Sequence, residues 1–329
     1  MCNAHCREHA VLLILKRGHR SRSGVSIRDW IDAAVEVVEV GNWLPRAGMA
    51  RALEQFRPDV IHAHLRRSTR MLARIRPPAP TIATLHLTAN GRHFADMDGL
   101  ICIARWQHDD IPRGYPGRVF DINESLIPNR RLTAAEIGAL RQQLGAGTGE
   151  YLVGGVGRLA HSKGFDVLIE AFKRADLPVA RLVILGEGRE SKRLERQCTN
   201  AISLPGFRTD VKDCYQAFDL FVSPSRSEPL GRVVLEALDA GVPVVASATR
   251  GPSEILARYP GDLFPIGDVE ALAALLRRHH AQHLPHMRHD LSAYHLPTVA
   301  RETAAAYQEL IDAKGMQSSA LGEPWRASK

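Results

Sequence analysis

Between residues 151 and 279, short apolar runs alternate with amphipathic stretches, and few folds can satisfy such a pattern. The runs at 151–156, 181–185, 202–204, 220–223 and 243–246 are bounded by turn residues and predict buried strands. Between and after them, 165–175, 190–197, 211–218, 232–240 and 269–279 carry helical spacing. Strand–helix alternation predicts a mostly parallel sheet with helices on both faces. Ligands of such doubly wound sheets bind beyond the carboxyl ends of the strands.

The same grammar runs through the first half. Strands are predicted at 35–40, 59–63, 81–85, 99–104 and 119–121, with helices at 46–56 and 65–75. Residues 9–16 read as the end of a helix already under way, with neither a strand nor a glycine turn before it. A length of 329 residues fits two domains at about 150 residues each. The expected division is a first domain at 1–128, a linker at 129–150 and a second domain at 151–296. A last helix at 297–313 is expected to pack back toward the first domain, before a disordered tail at 314–329. Two such domains place the natural site in the cleft between them.

Composition narrows the possibilities. The apolar run 10–15 falls far short of the ~20 residues of a membrane-spanning helix. Glu8 and the lack of a small-residue cleavage site argue against a secretory signal. Five cysteines in a chain this long make no disulfide framework, so a cytoplasmic location is expected. The net charge of +7 is uneven: residues 1–130 hold 19 Lys+Arg against 13 Asp+Glu, and 131–329 hold 24 against 23. The first half is therefore expected to meet something anionic.

Two segments carry chemistry. In Ser227-Glu228-Pro229-Leu230-Gly231-Arg232, Pro229 is expected at the first helical position, with Glu228 at or beside the cap. A helix N-terminus there would offer unpaired amides to a phosphate. Glu236, embedded in an apolar run two turns later, needs a partner if it is buried. A plain acidic cap and an ordinary exposed position would explain the two glutamates equally well. The second segment, Gly154-Gly155-Val156-Gly157-Arg158 followed by Lys163-Gly164, is a strand leading into a glycine-bearing loop with two cations, which suits a diphosphate. A solvated basic turn is the plainer reading, and the Walker lysine signature is absent.

Taken in order, these motifs resemble the retaining glycosyltransferases of family four, over roughly residues 59–311. The resemblance includes the stretch 59–64, Thr84-Leu85-His86, Ile127-Pro128-Asn129, Gly157-Arg158, Lys163-Gly164, Leu185-Gly186-Glu187-Gly188, Leu204-Pro205-Gly206-Phe207 and the E-x7-E pair Glu228/Glu236. It implies two Rossmann-like domains facing a cleft, the GT-B type, with acceptor binding in the first and nucleotide-sugar binding in the second. Arg158 and Lys163 match the basic pair that holds the donor diphosphate, and Glu236 matches the carboxylate that binds the ribose. Glu228 matches the residue at the donor sugar, and the amides of Leu230 and Gly231 match the helix start that meets sugar and phosphate. Gly157 belongs to the diphosphate loop and Gly206-Phe207 to the nucleobase loop, while His86 matches a first-domain histidine near the reacting centre.

The expected activity is metal-independent hexosyl transfer from a UDP- or GDP-linked sugar, with no cofactor, to a glycan or lipid-linked acceptor of polysaccharide or lipopolysaccharide synthesis. A GT-B type epimerase and an N-terminally truncated, non-catalytic nucleotide-binding paralogue are the alternatives. The first domain departs from the family by lacking its initial strand and glycine turn. Arg66, Arg70 and Arg74 form a cationic stripe opposed by Met71, Leu72 and Ile75. A solvated face would account for it, and peripheral contact with an anionic membrane is the functional expectation. Nucleic acid is not an expected partner. The run Cys2, His5, Cys6, His9 has metal-ligand types but poor context. His62 is read as a satisfied core histidine, and Cys102, Cys198 and Cys214 as small hydrophobes.

Overall fold

The structure, a computed structural model, describes residues 1–18, 26–41, 45–87 and 91–320. Two compact units emerge: Met1–Ser125 with Ser292–Lys329, and Leu126–Leu291.

The first unit begins with α1 (Cys2–His5), β1 (Leu12–Lys16), β2 (Glu36–Val40) and α2 (Pro45–Phe56). It continues through β3 (Ile61–His64), α3 (Leu65–Ile75), β4 (Thr81–Leu85), β5 (Gly99–Cys102) and β6 (Arg118–Asp121). Among the described residues the strands form two parallel sheets, β1–β2 and β3–β4–β5–β6. Both sheets serve one core: Ile14 of β1 packs against Met49, Leu53, Leu72, Leu85 and Leu100. Every residue of β4 and β5 is buried, as parallel strands covered on both faces require.

The helix expected to end at residue 16 is a strand instead. Leu12–Lys16 pairs in register with Glu36–Val40, and the Arg17 amide donates to the Val40 carbonyl at 2.9 Å. Helix is confined to Cys2–His5. An apolar run without polar interruption carries no period, so pairing with a distant strand decides its conformation.

The C-terminal helix, Leu296–Ala320, belongs to this unit. Its Tyr307 hydroxyl lies 2.6 Å from His62 Nδ1, and its Glu309 pairs with Arg118. A Cβ on Gly99 would lie 2.9 Å from Leu310, so the glycine lets the helix approach β5. The helix continues through Gly315, where a disordered tail was expected. Residues 321–329 lie outside the described residues.

The second unit comprises α4 (Ala134–Gln143), β7 (Tyr151–Val156), α5 (Phe165–Ala175), β8 (Ala180–Leu185), α6 (Ser191–Glu195), β9 (Ile202–Gly206) and α7 (Val211–Tyr215). It then adds β10 (Leu220–Ser223), α8 (Arg232–Ala240), β11 (Val244–Ser247), α9 (Arg250–Leu256), β12 (Asp262–Phe264) and α10 (Val269–Gln282). Its parallel sheet has the order β12–β11–β10–β7–β8–β9. Leu182 and Ile184 are fully buried with Phe165, Leu168 and Leu276. Side chains of this size each contribute about 1.5–3 kcal/mol on burial.

The stretch 129–150, expected as a linker, holds α4, whose N-terminus is closed by a capping box between Thr133 and Glu136. The segment before α4 is tied to α8: the Asn129 amide donates to Asp239 at 2.6 Å, and Arg131 donates to the Asp239 carbonyl at 2.7 Å. Asp239 is buried, and the Asn129 amide on its carboxylate, with the Arg131 guanidinium 3.9 Å away, offsets the cost of burying it.

Candidate functional site

In the second unit the strand order reverses between β7 and β10. From β7 the chain winds outward through β8 and β9, and from β10 it winds the opposite way through β11 and β12. The loops leaving the carboxyl ends of these two neighbouring strands diverge, which opens the crevice where doubly wound sheets take their ligands.

Glycines let those loops approach one another. Gly164 sits at φ +65°, and a Cβ there would meet the Pro224 carbonyl oxygen at 2.0 Å. A Cβ on Gly186 would lie equally close to the Gly157 carbonyl oxygen, at 2.0 Å. The Arg226 amide donates to the Ser162 carbonyl at 2.8 Å, stitching the post-β10 loop to the post-β7 loop. Gly154 and Gly155 have a different purpose. They lie within β7, where a Cβ on Gly154 would strike the Phe218 ring at 2.2 Å and one on Gly155 would crowd Phe165 at 3.1 Å.

Lys163 and Glu228 meet across this crevice in a direct ion pair, both side chains mostly buried. Glu228 also accepts the Gly231 amide at 3.3 Å. Arg158 is exposed and has no carboxylate partner among the described residues. The expected helical start at Pro229 is not observed: α8 begins at Arg232, with Gly231 as its cap at φ +87°. The Leu230–Gly231 segment lies against α9, where a Cβ on Gly251 would come within 2.4 Å of the Leu230 backbone. Glu228 therefore reaches the helix start through its side chain.

Glu236, one turn into α8, is partly buried and has the partners such a carboxylate needs. Tyr215 donates to it at 3.0 Å and Arg232 at 3.2 Å. The Tyr215 hydroxyl is held well above its ordinary range, first by burial and then by the Glu236 charge. Gly206 ends β9 at φ +89°, and Phe207 after it is exposed.

Two partners could not be found from the chain alone. Arg226 grips Asp166 through two hydrogen bonds, at 2.7 and 2.9 Å. Burial works to raise the Asp166 carboxyl, but Arg226 and Arg193 outweigh it and leave it below its ordinary range. Tyr215 reads in the sequence as one more core aromatic. A charge pair between loops and a hydroxyl aimed at a helix are tertiary facts without a local signal.

The expected first-domain residue His86 follows β4, and its Nε2 lies 3.0 Å from His64 Nδ1. Burial lowers both imidazoles, His64 to about 4. His62 is satisfied on both nitrogens, by Tyr307 at 2.6 Å and Thr84 at 2.7 Å. Among the described residues one trio of metal-ligand types converges, Cys102, His108 and Asp121. His108 is 2.6 Å from Asp121, and burial pushes the Cys102 thiol up to about 12, which leaves it a neutral thiol. The run Cys2, His5, Cys6, His9 forms no such group.

The sequence model of the glycosyl transferases group 1 matches residues 136–295, the segment holding Arg158, Lys163, Glu228 and Glu236. The lipopolysaccharide core biosynthesis glycosyltransferase LpsD of Rhizobium meliloti is 30% identical over 266 residues, covering 78% of this chain and 74% of LpsD. The chain belongs to the group 1 glycosyltransferases. LpsE of the same organism, also a lipopolysaccharide core biosynthesis glycosyltransferase, is 28% identical over 232 residues, and the match spans 68% of this chain and 65% of LpsE.

Solved structures of GT-B glycosyltransferases share the fold. Anabaena HepE, in complex with UDP and glucose, matches with TM-score 0.69 at 20% identity, covering 96% of this chain and all of HepE (100%). A glycosyltransferase from Rickettsia africae matches at TM-score 0.76 and 15% identity, covering 92% and 90% of the two chains. WaaG, a glycosyltransferase involved in lipopolysaccharide biosynthesis, matches at TM-score 0.65 and 18% identity over 98% and 94%. This group 1 glycosyltransferase has the two Rossmann-like units of that architecture. None of its helices among the described residues is long and apolar enough to cross a membrane.

Proposed function

We propose that this group 1 glycosyltransferase transfers a hexosyl unit, with retention, from a UDP- or GDP-linked sugar to a glycan or lipid-linked acceptor. Lipopolysaccharide or related surface-polysaccharide synthesis is the context, supported by its likeness to LpsD and LpsE. HepE, whose fold it shares, is a UDP and glucose complex. The observation that carries the reading is the Lys163–Glu228 pair at the point where the strand order reverses.

Glycosyl transfer expels a nucleoside diphosphate, so negative charge grows on the departing phosphate. Lys163 and the exposed Arg158 are the cations for that charge, and one preorganised donor of this kind is worth about 10²–10³ in rate. With cations and the α8 start at the leaving group, the chemistry needs no metal. Glu236, oriented by Tyr215, takes the ribose hydroxyls, and Phe207 with Gly206 borders the base. When the diphosphate draws Lys163 away, Glu228 is free to face the donor sugar. The departing phosphate oxygen accepts the acceptor's proton on the front face, so the sugar keeps its configuration. His86, which follows β4, is the first unit's own candidate residue. The protein works in the cytoplasm, with Arg66, Arg70 and Arg74 facing an anionic membrane surface.

A screen of UDP-, GDP- and ADP-sugars by thermal shift, followed by transfer assays with NMR of the product anomer, tests this reading. A stabilising donor at 100 times its Kd adds about 2.7 kcal/mol. Stabilisation by one donor class and an unchanged anomeric configuration are expected. No response to any of the three, or inversion, overturns the proposal. Donor binding without turnover would instead favour a nucleotide-binding role, for which the division of the first unit's strands into two sheets is the supporting observation.

A further inference from the structure

One concavity of the molecule is lined wholly by residues of the first unit, and it is basic. It encloses about 620 Å³ and is lined by Arg46, Arg70, Arg74, Arg76, Arg92 and His93, with Ala73 at its wall and Asp96 as its one carboxylate. The arginines come from four places in the chain. Arg46 is in the first turn of α2, and Arg70 and Arg74 lie one turn apart on α3. Arg76 caps α3 in the left-handed conformation at φ +51°, and Arg92 opens the 3-10 turn Arg92–Phe94. A single helix face would give a stripe; here separate elements fold guanidiniums around one space.

None of these five guanidiniums has a carboxylate ion-pair partner among the described residues, although the chain pairs many of its other arginines. Gathering like charges without counter-charges favours no fold, and clefts lined by one sign concentrate ions of the other. His93 supplies a second, independent observation. Its ring lies over Gly91, where a Cβ would come within 2.5 Å of the imidazole at φ +125°, so the ring is seated by the glycine. Its Nε2 is buried and has no hydrogen-bond partner among the described residues. Buried polar atoms are nearly always satisfied, so an orphaned ring nitrogen on a residue that lines a cationic cavity marks a place where a partner is missing. Burial, then the charges of Arg70 and Arg66, hold His93 below its ordinary range against the opposing pull of Asp96.

We propose that this cavity is a binding site for a phosphate-bearing group, held by forked contacts from the arginines and one from His93. Planar guanidiniums match phosphate oxygens two at a time, which explains a set built from arginine with no lysine. The volume exceeds that of one phosphate and suits a diphosphate or a phosphorylated sugar or lipid headgroup. The cavity is lined by first-unit residues and the Lys163–Glu228 pair belongs to the second unit, so the proposal stands whether or not the donor assignment holds.

The test follows the His93 ring by NMR in the full chain while inorganic pyrophosphate, and separately inorganic phosphate, is added. The ring reports this cavity, so binding of pyrophosphate at Arg158 and Lys163 does not confuse the readout. The expected result is a saturable shift with the His93 pKa moving up, weakening at high salt. Arg70→Ala with Arg92→Ala should weaken it at least about tenfold, and Arg70→Lys with Arg92→Lys less so. These side chains are exposed, so the variants should melt as the parent does.

A parallel arm compares sedimentation with phosphatidylglycerol and phosphatidylcholine vesicles. Shifts with pyrophosphate or phosphate and no sedimentation identify a soluble phosphate ligand. Sedimentation with phosphatidylglycerol alone, lost in the double alanine variant, identifies a lipid headgroup. An unmoved His93 ring with no vesicle binding, or responses unchanged in the double alanine variant, overturns the proposal.

Discussion

Lys163 and Glu228 form an ion pair although 65 residues separate them, because the loops that carry them leave neighbouring strands at the reversal of strand order. The pair neutralises the cation before any anion arrives. A diphosphate must therefore compete with Glu228 for Lys163, so binding of a leaving group and release of the carboxylate are one event.

Lys163→Ala and Glu228→Gln should consequently fail in different ways. Lys163→Ala is expected to raise the donor KM and lower kcat about 10²–10³-fold. Glu228→Gln frees the lysine, so donor affinity should hold or improve while kcat falls. Steady-state kinetics with the donor class found by thermal shift distinguish them, and equal losses in KM and kcat for both would refute the coupling.

Tyr215→Phe removes one of the two side-chain donors to Glu236. The loss should destabilise the protein by about 1 kcal/mol and weaken donor binding several-fold, with kcat nearly unchanged. Calorimetric melting and donor titration measure the two effects.

Gly164→Ala should be among the most damaging single-methyl changes. The backbone there is left-handed, and the new Cβ would overlap the Pro224 carbonyl. Strain of about 1–3 kcal/mol is expected from the conformation alone, before the clash. Separating the two loops should also abolish donor-induced stabilisation, which thermal shift with and without donor would reveal.

Acid should act on both units, through groups of opposite kind. Asp166 has a folded pKa below its unfolded one, so its contribution is fully present above the unfolded carboxylate pKa and is lost as pH falls through the folded value. His62 and His64 also have depressed folded values, but here the neutral form is the one the fold prefers. The unfolded chain binds their protons first, so stability falls as pH drops below the unfolded value of about 6.5. Melting temperature should therefore decline from about pH 6.5 downward. His62→Gln should flatten the upper part of that decline, and Asp166→Asn the part at the carboxylate range.

The second unit was legible because its buried strands are short apolar runs cut off by turn residues. The bounds expected for β7, α5 and β10 are those observed. Where tertiary pairing decides, the chain misleads. Leu12–Lys16 has no period to separate strand from helix, and Gly251-Pro252 hides α9, although Pro252 falls in the helix's first turn where proline is tolerated. The capping box of Thr133 and Glu136 was present in a stretch expected to be a linker. The site glutamates stood out by spacing, whereas Tyr215 and Arg226 did not, since only folding brings each to its carboxylate.

The division of the first unit's strands has a further consequence. A continuous sheet ends in two rims, but among the described residues β1–β2 and β3–β6 together end in four. Each rim is a row of main-chain donors and acceptors without a strand partner, and such rows recruit strands from other molecules. At high concentration, self-association should start in the first unit, and its amides should exchange with solvent before those of β7, β8 and β10.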